Sequence, residues 1–111
     1  MKYVLLYFAE EKVDRQPADP VNLEKLGAWL TEMEARGVRR HGHRLRPVAE
    51  AATVRVREHE TLVSDGPFAE TKEQVAGYDL IECVDLTEAL EIASKHPAAE
   101  LGTVEVRPVW M

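Results

Sequence analysis

Tyr3-Val4-Leu5-Leu6-Tyr7-Phe8-Ala9 is apolar at both alternating parities, the pattern of a central strand covered on both faces. The run is too short for a membrane span, and no secretory core followed by a small-residue cleavage site accompanies it, so it reads as the first strand of a sheet. Outward from it, Glu10 to Ala18 is a polar loop, and Asp19-Pro20 offers an N-cap with proline at the first helical position. Leu23, Leu26, Leu30 and Met33 then recur at helical spacing with Trp29 beside the stripe, and Gly37 supplies the stop. Val38 to Pro47 is polar, but a second strand is expected there because a β-α-β-β order needs one.

Thr53–Arg57 and Glu60–Ser64 predict a hairpin with Glu58-His59 at its tip, pairing Arg57 with Glu60 and setting Val54, Val56, Thr61 and Val63 on one face. The tip lacks glycine, which points to a longer loop. Lys72–Val75 is expected to form a short helical piece before a strand over Gly77–Val84. Asp85-Leu86-Thr87-Glu88 has the form of a capping box, and Leu86, Ala89, Leu90 and Ala93 form the stripe of a second helix ended by His96-Pro97. Thr103–Trp110 is the last strand.

This order predicts an α+β chain: a ferredoxin-like antiparallel sheet with two helices on one face and an extra hairpin, forming one domain over residues 1–111. Two helices cannot cover two faces. The apolar second face of the first strand therefore predicts a homodimer through sheet-to-sheet contact.

With 111 residues, roughly two thirds of the unfolded surface can be buried without staples. The net charge of −6 opposes general attraction to nucleic acid or anionic membranes, leaving a small-molecule ligand or a protein as the expected partner. Cys83 is the lone cysteine, excluding an internal disulfide and fitting a reducing, cytoplasmic setting. The familiar glycine-rich nucleotide loops, Cys-x-x-Cys and the nucleophile elbow are all missing, so no cofactor is expected.

Ser64-Asp65-Gly66-Pro67-Phe68 is the strongest local signal. Asp and Gly supply turn geometry, Pro fixes φ, and Phe68 is expected to anchor the turn in the core, aiming Asp65 as a general base or as a ligand contact. The competing role of Asp65 is to cap turn N–H groups. His41 and His43 stand two apart, so on a strand both imidazoles share a face; His43 is the expected proton partner and His41 a ligand contact. Without a clear third ligand the pair makes no metal site. Arg44 and Lys72 are candidates to hold an anionic group, against the commoner role of solvated surface charges. Tyr78 can present its hydroxyl beside the turn. Trp29 and Trp110 are expected in the core or at a dimer contact, with His59 at the hairpin tip and His96 at a helix end.

The segments Val63 to Glu73, Gly77 to Glu82 and Val104 to Pro108 closely resemble the DGPF subgroup of YCII-related proteins, a similarity running over nearly the whole chain. The resemblance implies a ferredoxin-like, dimeric α+β barrel. Some YCII-related relatives use a His and Asp pair in small-molecule elimination or dehalogenation. The family's histidine lies in the first helix, where this chain has Lys25 near the corresponding place. The resemblance also implies an association with extracytoplasmic-function sigma factors, and hence a regulatory protein partner. Two functions follow as expectations: a cofactor-independent enzyme on a small polar or anionic molecule, with Asp65 as base, or a noncatalytic dimeric module binding a ligand or protein.

Overall fold

The computed structural model describes residues 1–11 and 20–110. Its elements are β1 (Lys2–Ala9), α1 (Pro20–Ala35), β2 (Arg39–Arg44), β3 (Ala52–Arg57), β4 (Glu60–Asp65), β5 (Gln74–Glu82), α2 (Leu86–Ser94), α3 (Ala98–Leu101) and β6 (Thr103–Pro108). Four strands form an antiparallel sheet in the order β2-β5-β1-β6, while β3 and β4 form a separate two-stranded sheet. The extra hairpin expected beside the antiparallel sheet is present, and it is a separate two-stranded sheet, not an extension of the main one. The fold is α+β, consistent with a ferredoxin-like one.

β1 sits between β5 and β6, which explains its apolar parities. Tyr3, Leu5 and Tyr7 face the helices and are buried with Ile81, Trp29, Met33, Ala89 and Ile92. Val4, Leu6 and Phe8 point to the other face and are only half-buried. The buried faces of both helices are rotated from the expected stripes. In α1 Trp29 and Met33 carry the core while Leu23 is exposed, and in α2 Ala89, Ile92 and Ala93 are inside while Leu86 and Leu90 are outside. Trp29 is fixed further by its indole N–H, which donates to the Ile92 carbonyl at 2.9 Å. Arg36 ties the helices together at their outer edge, bonding Glu32 on its own helix and Glu91 on α2 at 2.8 Å.

The caps follow the sequence closely. Gly37 takes φ +70°, with its N–H on the Glu34 carbonyl and the Val38 N–H on the Met33 carbonyl, the paired bonds of a Schellman stop. Asp85 accepts from the Glu88 N–H at 2.9 Å, and the Glu88 carboxylate accepts in return from the Val84 N–H rather than from Asp85 itself. The expected Asp19 cap lies outside the described residues. No helical piece forms at 72–75, because β5 begins at Gln74, and an unexpected short helix, α3, follows Pro97.

The hairpin has the predicted register: Arg57 opposes Glu60, and Val54 opposes Val63. Its tip is nevertheless the tight two-residue form, because Glu58 (φ 51°) and His59 (φ 67°) both adopt left-handed backbone.

Candidate functional site

The expected site residues fall into two separate groups. On the edge strand β2, His41 opposes Leu80 and His43 opposes Tyr78, so both imidazoles lie on the sheet face away from the helices. The Tyr78 hydroxyl comes within 3.3 Å of His41 Nδ1, and the Tyr78 ring centroid is 6.1 Å from that of His43. These three side chains form a polar rim beside the half-buried Val4, Leu6, Phe8 and Leu80.

Asp65 ends β4 on the hairpin and is exposed, and among the described residues no hydrogen bond joins it to His43. Gly66 beside it takes φ +86°, its N–H donating to the Ala51 carbonyl at 2.7 Å and its carbonyl accepting from the Thr53 hydroxyl. These bonds close the hairpin's base without using the Asp65 carboxylate. Phe68 does not anchor the turn: it is 76% exposed, because the turn follows the detached hairpin and not the main sheet over the core. Arg44 and Lys72 are exposed as well, Arg44 opposite Gly77 at the end of β2. Trp110, expected in the core or at a contact, is 98% exposed and takes no part in the core.

A third group, absent from the sequence expectations, lies on the helix side of the sheet. Asp79 is 5% exposed and shares the core parity of Ile81 and Cys83. Its Oδ2 accepts from the Tyr7 hydroxyl at 2.6 Å, and its Oδ1 accepts from Arg39 Nε at 2.7 Å. Gly42 lies directly opposite, and a Cβ there would overlap the Asp79 carboxylate, so the missing side chain is what admits the charge. Arg39 completes the arrangement by donating to the Gly42 carbonyl and to Glu34. Burial pushes the Tyr7 phenol well above its ordinary range, and the adjacent Asp79 carboxylate reinforces the shift.

His96 stacks on the Tyr7 ring, with centroids 4.1 Å apart, and receives the edge of Trp29. Its Nδ1 accepts from the Ala98 N–H at 3.0 Å, which fixes the neutral tautomer with the proton on Nε2. Burial lowers its pKa to about 4, only partly opposed by Asp79. The helix end thus carries a buried neutral imidazole. Between α1 and the end of α2 a shallow cleft of about 300 Å³ has Trp29 among its lining, and its charged lip is closed by the pairs Lys25–Glu100 and Lys95–Glu32.

Among the described residues no cluster of His, Cys, Asp and Glu has the arrangement of a metal site, and no helix is long and apolar enough to cross a membrane. Together, the four-stranded sheet, the helices on one face and the detached hairpin define an α+β domain in which, among the described residues, no helix covers the second sheet face.

The chain belongs to the YCII-related domain family, whose model matches residues 1–111. It is also similar to an uncharacterised protein of Rhizobium meliloti (strain 1021), at 52% identity over 68 residues. That match covers 60% of this chain and 55% of the relative, so it spans about half of the relative's length.

Proposed function

We propose that this protein is a cytoplasmic homodimer of the DGPF subgroup that acts as a noncatalytic receptor for a small polar or anionic molecule. The observation carrying this reading is the open sheet face. Val4, Leu6, Phe8 and Leu80 form a half-buried apolar strip, bordered by the His41–Tyr78 contact and by His43. A strip of this kind at the centre of a sheet favours a second sheet against it, and the adjoining imidazoles and phenol supply directional polar contacts for a ligand. Arg44 and Lys72 are the cations assigned to an anionic group. Asp65-Gly66-Pro67-Phe68 supports the subgroup, and the single buried thiol of Cys83 supports the reducing compartment.

Sedimentation at micromolar concentration tests the dimer: a monomer there overturns it. A thermal-shift screen of metabolites tests the receptor, since a ligand at about a hundred times its Kd adds roughly 2.7 kcal/mol to the folded state. A blank screen with an intact dimer favours a protein partner, including the regulatory one that the sigma-factor association implies.

The second reading is a cofactor-independent enzyme with Asp65 as general base and His43 as its proton partner. Its support is chemical type: a carboxylate and an imidazole, both accessible, within one chain. Unchanged ligand binding and turnover in Asp65→Asn would remove it.

A further inference from the structure

Among the described residues, the hairpin of β3 and β4 is an arm paired only with itself and not joined to the main sheet. Val54, Val56 and Val63 share one of its faces and are 61%, 57% and 67% exposed. A two-stranded hairpin is marginal alone and needs an apolar surface to lie on. The Cα radius of gyration, 15.9 Å, exceeds the ~13 Å expected of a compact chain of this length, as an outlying arm requires.

We propose that in the homodimer each arm lies by its valine face on the other copy, over the rim formed by β2 and Tyr78. Asp65 is thereby delivered to the partner copy's His41 and His43, giving a composite site that one chain lacks. This rests on the homodimer reading above and goes beyond it. Three observations lead to it. Asp65 opposes Ala52 in the hairpin and has the same parity as Val54, Val56 and Val63, so whatever the valines cover also meets the carboxylate. The arm is rooted between β2 and β5, the strands that carry His41, His43 and Tyr78, so a two-fold axis crossing these strands brings each arm over the equivalent edge of the other copy. The surfaces also match in length: the six-residue β3 of the arm and the six-residue β2 each span ~20 Å.

The occupant is a second copy because the described residues of this chain carry two apolar surfaces exposed or half-exposed, the arm and the second sheet face, and one symmetric contact covers both twice. The composite site joins a carboxylate, two imidazoles and a phenol, a set suited to a small molecule with an N–H or O–H donor for Asp65 and an acceptor for the imidazoles.

The test uses two variants, Asp65→Cys and His43→Cys, each also carrying Cys83→Ala, mixed and mildly oxidised. The proposal expects a disulfide between the two different chains, at least about tenfold more abundant than in either variant alone, because bridging needs Cα atoms within ~7 Å. A second measurement keeps the native Cys83: Val63→Asp raises the dimer dissociation constant about tenfold or more in sedimentation, with the far-ultraviolet dichroism unchanged. A dimer that shows no mixed disulfide and is indifferent to Val63→Asp overturns the arm exchange and leaves the homodimer standing. A monomeric wild type overturns both.

Discussion

His96 makes the folded state sensitive to mild acid, and the size of the effect follows from its surroundings. The imidazole lies between the Tyr7 ring and the edge of Trp29, 8% exposed, with Nδ1 occupied as an acceptor. Protonation would place a charge in that stack and remove the lone pair that receives the Ala98 N–H. Folding therefore lowers the pKa from the ordinary 6.5 to about 4. The neutral form is favoured in the fold, so the unfolded chain binds the extra proton first. The contribution is fully present above pH 6.5, falls as the pH drops and is exhausted once the pH reaches about 4. The full difference corresponds to about 3 kcal/mol, of which about 2 kcal/mol is lost by about pH 5.

Urea unfolding at about pH 7.5, 5 and 4, for wild type and His96→Gln, measures this directly. The variant starts less stable, having lost the stack, but its stability should fall less between the first two conditions, by about 2 kcal/mol. Comparing the two pH dependences removes the acid response of every other group. Parallel curves for the two proteins, or an imidazole titration of His96 near its ordinary value by NMR, would refute the reasoning.

Gly42→Ala forces a methyl group into the Asp79 carboxylate and should cost about 3 kcal/mol or more in urea unfolding, the scale for disrupting a buried ion pair. Tyr7→Phe removes the donor to Asp79 Oδ2 and should cost about 1.5–3 kcal/mol, whereas Tyr3→Phe, whose hydroxyl reaches only the Met1 sulfur at 3.8 Å, should cost under about 0.5 kcal/mol. Replacing Glu58-His59 by Asn-Gly relieves two left-handed residues and should raise amide-exchange protection within the hairpin by about 1 kcal/mol; unchanged protection would mean that the tip does not limit the arm.

What could be read from the chain was local. β1 announced its central place through its two apolar parities, Gly37 its stop, and the hairpin its register, because each depends on residues adjacent in sequence or across one turn. The long-range features stayed hidden. Asp79 looked like one more polar residue in Tyr78-Asp79-Leu80-Ile81-Glu82, although its parity with Ile81 and Cys83 was the available signal of a core carboxylate. Its partners Tyr7 and Arg39 come from two other strands, and no spacing along the chain brings them together. His96 read as a helix end because the His-Pro pair does stop α2; nothing nearby in sequence says that Tyr7 and Trp29 enclose the ring. Phe68 stays exposed for a related reason, since its turn packs on the core only if the hairpin does. The candidate site was legible in its residue types and illegible in its assembly: His41, His43 and Tyr78 meet through strand pairing, while Asp65 stays apart on the arm.

The contact between Gly42 and Asp79 also bears on how the edge strand finds its alignment. Arg39-Arg40-His41-Gly42-His43-Arg44 has almost no apolar alternation to tell β2 how to dock on β5. Sliding the strand by two positions would keep the polar faces acceptable, yet it would set the side chain of Arg40 or Arg44 onto the Asp79 oxygens. Only glycine leaves them room. The pair favours the native alignment in a strand whose composition would otherwise tolerate several. It also couples two positions thirty-seven apart in sequence: a small neutral residue at 79 would release 42 from being glycine, and β2 would then lose the feature that fixes its alignment.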